Sequence, residues 1–258
     1  MIYVSLTCIP SRLNNLTDIF ECLNNQTVLP DCVIINYPYF SLRLNETYPI
    51  LLLDDIQKSV KYKIYINRCY DYGPITKIYP LLDINFINPD DKIIIIDDDN
   101  YYNPLLIENL VDDFNFYNQK NVICVSGLLY PTKKSDTYKV INNGHKCQLI
   151  EASFGYIIKR SFINDHLRKF VKIFNNKDEI KENHFENIFY SDDYVISRFF
   201  DFCNINKYVI KSNQLINRMT VFQKKLDSNN SLCSMGHNLD KYLNAESDLK
   251  NLYFGLLN

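Results

Sequence analysis

An α/β fold, with a mostly parallel central sheet flanked by helices, is what this sequence predicts, and three observations carry it. The stretch KIIIIDDDNYYNP places four isoleucines, Ile93 to Ile96, directly before Asp97, Asp98 and Asp99. An unbroken apolar run of this kind reads as a strand buried on both faces, as at the centre of a parallel sheet. Strand-like and helix-like patterns alternate through the first half, which implies βαβ units with right-handed crossovers. The chain has 258 residues, 47% of them hydrophobic, enough for one sizeable domain with a full core.

Taken in order, IYVSLTCI (2–9) reads as a first strand that stops at Pro10 and Arg12. LTDIFECLNNQ (16–26) has apolar positions at helical spacing, with Thr17 as its N-cap. After Leu29 and Pro30, CVIINYP (32–38) is a second strand, and ILLLDDIQKSV is a helix within 40–62. YKIYINR (62–68) is a third strand, followed by a Gly-Pro turn and a short helix from about Thr76 to Leu82. The isoleucine strand comes next. Asn103 and Pro104 fit the N-cap and first position of a helix over LLIENLVDDFNFY, and VICVSG (122–127) is a further strand.

The second half predicts a smaller mixed or antiparallel region, with short strands in YKVIN, CQLIEA and FGYIIKR. SFINDHLRKFVKIF and DDYVISRFFDFCN read as helices, and KYVIK (207–211) as a last strand. The segment from Lys224 to Asp240 is polar and weakly patterned. There are no internal repeats and no evident linker, so residues 1–258 are read as one domain.

Bulk properties narrow the function classes. The formal net charge of -2 gives no general attraction to nucleic acid or acidic membranes. The aliphatic runs are too short to span a bilayer. MIYVSLTCIPSRL lacks the basic-then-apolar order of a signal peptide. The eight cysteines are scattered without a CxxC pair, which favours buried free thiols in a reducing compartment. A cytoplasmic, non-secreted protein is the expectation, and the sequons at Asn15 and Asn45 then carry little meaning.

The Asp97–Asp99 triplet is the main chemical signal. Three carboxylates at a strand end repel one another unless positive charge sits among them. Open α/β sheets bind ligands beyond the carboxyl ends of their strands, so a divalent cation carrying a phosphorylated ligand relieves that charge most simply. Alternate residues share a face, which lets Asp97 and Asp99 point together and turns Asp98 away. Carboxylate oxygens suit Mg²⁺ or Mn²⁺, shared with phosphates and water. The bland alternative is a solvated acidic turn, as Asp54–Asp55 and Asp112–Asp113 are read, but those pairs lie in helical patterns.

Three weaker clusters accompany it. In DYGPITK (71–77), Gly73 and Pro74 set a turn after Asp71; Thr76 and Lys77 then open a helix whose free N–H groups favour phosphate. Lys77 adds a mobile charge and Arg68 a fork-shaped donor. TCIPSR (7–12) offers Thr7, Pro10 and Arg12 at the end of strand one, where nucleotides are contacted in doubly wound folds. SDDYVISRFF (191–200) puts two acids at the start of an apolar helix. They either complement the helix dipole behind Ser191 as N-cap, or one of them deprotonates an acceptor hydroxyl. The dipole depresses rather than raises such a pKa. His237 beside Gly236 is a candidate distal metal ligand; His145, His166 and His184 show no ligand spacing.

In this order, TxIPxR (7–12), RCYDYGPITK (68–77), IIIIDDDNYYNP (93–104), EASFGYIIKR (151–160) and SDDYVIS (191–197) resemble the GT-A glycosyltransferases, nucleotide-sugar-dependent enzymes with an Asp-x-Asp motif. The likeness is strongest to family-2-type transferases and covers most of residues 1–200. It implies a nucleotide-binding half (1–127) and an acceptor-side half (128–258), with Mn²⁺ or Mg²⁺ and a nucleotide-sugar donor, UDP-linked by preference, as co-substrate. Asp97 would then approach the ribose or uracil, and Asp99 the metal. Asp98 lies between them, Arg12, Arg68 and Lys77 surround the diphosphate, and Gly155 lies near the donor sugar. Asp193 matches the base of inverting enzymes, with Asp192 orienting donor or acceptor; Asp-Asp replaces the frequent Glu-Asp pair. The Gln-x-x-Arg-Trp element of processive synthases is missing, and the chain has no Trp, so a single-transfer enzyme acting on a glycan, protein or lipid-linked acceptor is implied. The Asn-, Ile-, Lys- and Tyr-rich composition fits an AT-rich genome such as that of a giant virus of the mimivirus type. A sugar nucleotidyltransferase is the nearest enzymatic rival, though CIPSRL is not its Gly-rich loop. A catalytically inactive sugar- or nucleotide-binding protein of the same fold is the other.

Overall fold

The computed structural model describes residues 1–50, 53–129, 139–141, 144–172 and 191–211. Its centre is a seven-stranded sheet. In chain order the strands of that sheet are β1 (Ile2–Thr7), β2 (Cys32–Pro38), β5 (Lys63–Cys69), β6 (Lys92–Ile95), β7 (Val122–Cys124), β11 (Tyr156–Lys159) and β12 (Lys207–Val209). Two minor sheets hold β3 (Phe40–Ser41) with β4 (Glu46–Thr47), and β8 (Gly127–Leu129) with β9 (Lys139–Ile141) and β10 (Leu149–Ile150). The helices are α1 (Leu16–Asn24), α2 (Leu53–Ser59), α3 (Leu106–Phe116), α4 (Asp165–Val171) and α5 (Asp192–Phe202).

The spatial order is β12-β7-β11-β6-β1-β2-β5. All neighbours are parallel except β11, which runs antiparallel to both β6 and β7. The apolar runs behave as two-sided burial requires. All seven residues of β2 are buried, and Ile93 to Ile96 have no exposed surface. At the edge, β5 alternates between exposed and half-buried positions, as a strand with one free side does. Among the described residues no helix is long and apolar enough to cross a membrane.

Several elements differ from expectation for local reasons. FGYIIKR does not belong to a separate region, since β11 enters the central sheet between β6 and β7. A tight 3-10 turn at Ala152–Phe154, closed by Gly155, leads directly into it, and an antiparallel neighbour needs no helical crossover. Gly155 adopts φ +96, ψ 147, a region that side chains with a Cβ scarcely occupy. The expected helix at 76–82 is two 3-10 turns, Ile75–Lys77 and Tyr79–Asp83, with Pro80 in the second. Thr17 caps nothing: the chain enters α1 from a 3-10 turn, Pro10–Asn15, already in helical conformation at Asn15. Asn103 does accept the Leu105 N–H through its side chain, but α3 begins only at Leu106.

Truncating the middle of β6 tests this core. Ile94→Ala should lower the free energy of unfolding by about 2–5 kcal/mol in a urea titration. A loss below about 1 kcal/mol would place Ile94 outside a close-packed interior.

Candidate active site

The site is built at the carboxyl ends of β1 and β6, and the loop 71–77 is its floor. A ladder of polar side chains on three adjacent strands fixes that loop. Ser5 Oγ of β1 donates to the Lys77 carbonyl at 2.7 Å, and Asn36 Nδ2 of β2 donates to Ser5 Oγ at 2.9 Å and to the same carbonyl at 3.3 Å. Asn67 Nδ2 of β5 donates to Asn36 Oδ1 at 2.8 Å. Asp71 closes the other end, accepting the backbone N–H of Leu42 and of Gly73, both at 2.8 Å, while Thr76 Oγ1 accepts the Tyr72 N–H. Gly73 takes the positive φ of 71 that the turn demands.

This scaffold delivers the Lys77 side chain into the sheet's end. Lys77 is 3% exposed, and its ammonium donates to Asp97 and to Asp192, the latter at 2.9 Å. Beside it, Arg12, buried in the 3-10 turn after β1, binds Asp98 Oδ1 at 3.0 Å and Asp99 Oδ2 at 2.9 Å through one nitrogen. Asp98 is the buried member of the triplet, and its second oxygen, Oδ2, has no hydrogen-bond partner among the described residues. Asp97 and Asp99 keep more exposure.

A second turn joins the remaining acid. Asp193 Oδ1 accepts the Ala152 N–H at 3.0 Å. The Ser153 carbonyl receives Asn100 Nδ2 at 2.7 Å and the Tyr102 hydroxyl at 3.1 Å. Tyr102 also accepts the Asp97 N–H at 2.8 Å, so the triplet and the start of α5 are both referenced to residues 152–153. Ser191 occupies the N-cap position of α5, but its hydroxyl makes no capping bond. The two acids after it turn toward Lys77 and Ala152.

Among the described residues, five carboxylates therefore meet two cations, Lys77 and Arg12. Burial is the largest influence on the titration of these groups, with neighbouring charges next. Burial pulls the Lys77 ammonium down, but Asp192 and then Asp97 outweigh it and hold its pKa well above the ordinary value. Burial pushes Asp98 up to about 7 against the pull of Arg12. Burial likewise raises Asp99, with Asp97 adding to it, and Asp192 in spite of Lys77. Asp193 is raised well above the usual carboxylate range, first by burial and then by Asp192. This corrects the expectation of a depressed pKa at the helix start: desolvation and a like charge outweigh the dipole here.

The expected residues fall into distinct groups. Lys77, Arg12, Asp97, Asp98, Asp99, Asp192 and Asp193 converge. Lys77 is buried and paired rather than free, and the loop carrying it is a three-residue 3-10 turn whose Thr76 and Lys77 N–H groups already bond Gly73 and Pro74. That removes the expected free N–H phosphate cradle. Asp71 and Pro74 serve the turn. Thr7 spends its hydroxyl on the Asn36 carbonyl at 2.9 Å, and Pro10 opens the turn that carries Arg12. Arg68 stands apart: it is exposed, with its guanidinium 4.9 and 4.6 Å from the ring centroids of Tyr37 and Tyr39. Its strand lies three places from β6, about 14 Å away at ordinary strand spacing. A Cβ on Gly155 would meet Ile95 O, Ile96 and Leu106 at 3.6–3.7 Å, ordinary contact distances, and the backbone angle by itself calls for a glycine here. His237 lies outside the described residues. Ser5, Asn36, Asn67 and Tyr102 were not anticipated; the polar residues interrupting apolar strands were the available signal.

A divalent cation fits this set in a limited way. Among the described residues no three His, Cys, Asp or Glu groups are arranged to hold an ion by themselves. Mg²⁺ and Mn²⁺ sites often use only one or two carboxylates, completed by phosphate and water. Asp97 and Asp99, the more exposed acids of an over-negative cluster, match that requirement.

No protein-family model matches the sequence, and comparison with curated proteins returns no match. Among solved structures the chain is similar to a TarS fragment from S. aureus in complex with UDP-GlcNAc, at 10% identity and a TM-score of 0.48, over 83% of this chain and 57% of that one. A CMP:2-keto-3-deoxy-manno-octonic acid synthetase complexed with CTP matches at 9% identity and TM-score 0.45, over 82% and 89% of the two chains. A 2-C-methyl-D-erythritol 4-phosphate cytidylyltransferase from Francisella tularensis matches at 15% identity and TM-score 0.42, over 83% and 91%. The chain spans little more than half of the TarS fragment. Likenesses this low carry no argument about chemistry, which rests on the geometry above.

The pKa of Asp98 has a measurable consequence. Its unfolded value is near 3.8 and its folded value about 7. Between these the folded chain holds a proton that the unfolded chain has released, so this contribution is full below the lower value and is lost as pH rises through the upper one. Urea unfolding should show stability increasing as pH falls from about 7 to about 5, and Asp98→Asn should flatten that slope by about 1 kcal/mol per pH unit. An unchanged slope in the variant would contradict the assignment.

Proposed function

We propose that this chain is a metal-dependent glycosyltransferase that moves a sugar from a nucleotide diphosphate, UDP-linked by preference, to an acceptor hydroxyl with inversion. The observation that carries the reading is the acid-rich cluster at the ends of β1 and β6, in which, among the described residues, five buried or half-buried carboxylates lie beside two cations. Such a site is short of positive charge and lies where open α/β sheets take their ligands. Asp99 and Asp97 would hold Mg²⁺ or Mn²⁺, which when bound offsets charge on a departing diphosphate as a Lewis acid. Arg12 and Lys77 border the same space and hold fixed positive charge toward the phosphates. Thr7 and Pro10 fix the backbone at the nucleotide side of β1, and Asp98 anchors Arg12.

Asp193 is the general base of this reading. The acceptor oxygen bonds to the anomeric carbon as the bond from that carbon to the diphosphate breaks, and the acceptor proton passes to the Asp193 carboxylate. Burial and the neighbouring Asp192 raise the proton affinity of this carboxyl, the direction in which a general base is strengthened. Asp192, held by Lys77 at 2.9 Å, keeps its neighbour's environment negative and orients the reacting groups.

Thermal unfolding with UDP, GDP, CMP or dTDP, each with and without Mn²⁺, tests the reading. UDP with Mn²⁺ should raise the melting temperature, with about 2.7 kcal/mol of added stability at a hundredfold excess over Kd. Asp99→Asn should abolish that metal-dependent shift. No shift with any nucleotide would overturn the proposal, and release of pyrophosphate from a nucleoside triphosphate would replace it with nucleotidyl transfer. For the base, Asp193→Asn should retain UDP affinity and lose about 100- to 10,000-fold in sugar transfer; undiminished turnover would remove Asp193 from that role.

A further inference from the structure

Asn100 follows the acidic triplet directly, is 4% exposed, and has no part in the chemistry proposed above. Its Nδ2 donates to the Ser153 carbonyl at 2.7 Å. The Tyr102 hydroxyl lies 3.1 Å from the same carbonyl and 3.2 Å from the Asp97 carbonyl, while accepting the Asp97 N–H at 2.8 Å. A hydroxyl has one proton, so Tyr102 divides its donation between two carbonyls. Asn100 is the donor that Ser153 does not share with Asp97.

Ser153 is the middle residue of the 3-10 turn Ala152–Phe154. That turn is closed on itself, with the Phe154 N–H on Glu151 O at 3.2 Å and the Gly155 N–H on Ala152 O at 3.0 Å. The Ala152 N–H at its start binds Asp193 Oδ1 at 3.0 Å. A path of directed bonds therefore runs from the triplet through Asn100 and the turn to the Asp193 carboxylate. Lys77 also spans the two sets of acids, but an ammonium on a four-carbon stem is a point charge and sets separation rather than direction.

We propose that Asn100 is a positioning residue: by holding the Ser153 carbonyl it fixes the turn whose Ala152 N–H aims Asp193 relative to Asp97 and Asp99. The inference rests on the function proposed above, in which Asp193 takes the acceptor proton while a cation at Asp97 and Asp99 offsets the leaving diphosphate. Displacement at one anomeric carbon needs those groups in a set mutual geometry, and a misplacement of about 1 Å costs about 100-fold.

The test has two readouts on Asn100→Ala, with Ile94→Val as a control that lowers stability without touching the turn. The first is the amide proton resonance of Ala152 in the free protein, which should move toward its position in Asp193→Ala and stay in place in Ile94→Val. The second is release of UDP from UDP-glucose and UDP-N-acetylglucosamine, with water as the acceptor. Asn100→Ala should bind UDP with Mn²⁺ as the parent does, yet turn over about 10- to 100-fold more slowly. In an Asp193→Asn background the same change should cost nothing further, because it acts through Asp193. Asn100→Leu, close to asparagine in volume, repeats both measurements without leaving a cavity. An unmoved Ala152 resonance, wild-type turnover, or a loss that persists in the Asp193→Asn background would overturn the inference and leave the proposed function standing. A parent protein that binds no UDP would remove both. The amide readout needs no donor, so it decides the inference whichever sugar the enzyme takes.

Discussion

The ammonium of Lys77 is the interaction on which the architecture of the site depends. It lies almost wholly out of water, between the end of β6 and the first turn of α5, and joins elements far apart in the chain. Removing one partner of a buried pair leaves an uncompensated charge, at a cost of about 3–5 kcal/mol. Its backbone is held with equal care by the Ser5–Asn36–Asn67 ladder, which crosses three strands that are otherwise apolar or structural. The sheet therefore fixes the loop, the loop fixes Lys77, and Lys77 fixes the spacing between two sets of acids.

Among the described residues, that spacing leaves more carboxylates than cations rather than a closed structural ion pair. Arg12 serves two carboxylates with one nitrogen, and burial raises Asp98, Asp99, Asp192 and Asp193 despite nearby cations. A purely stabilising cluster has no use for this excess, since buried like charges work against folding. A site that receives a cation and a phosphorylated ligand does. The excess is then the reservoir of binding free energy that the ligand draws on.

Much of this was legible in the sequence, and the remainder was hidden for physical reasons. Ile93 to Ile96 announced the central strand because two-sided burial demands an unbroken apolar run. The convergence of residues 12, 77, 97–99 and 192–193 was implied by the resemblance of the ordered motifs, since no one of them marks a site by itself. The antiparallel entry of β11 was not legible, because it depends on the 152–155 turn and not on any periodicity within FGYIIKR. Nor was the burial of Lys77: a lysine after a Gly-Pro turn ordinarily faces water, and only the ladder beneath it holds it inward. Arg68 appeared beside the motif in sequence but sits on the edge strand against Tyr37 and Tyr39, since strand order, not chain order, sets distance. The direction of the Asp193 shift was misjudged by weighing the helix dipole without the desolvation that outweighs it.

The central claim is that this acid-rich cluster receives a cation together with a phosphorylated ligand, and burial, which raises Asp98, Asp99, Asp192 and Asp193, makes proton release its readout. Calorimetric titration of Mn²⁺ with UDP at pH 7, repeated in buffers of different ionisation enthalpy, measures the protons displaced. The account predicts release of about one proton per bound cation, as metal binding to partly protonated carboxylates requires. Heats that do not depend on the buffer would contradict it, because the carboxylates would then already be charged and balanced without a ligand.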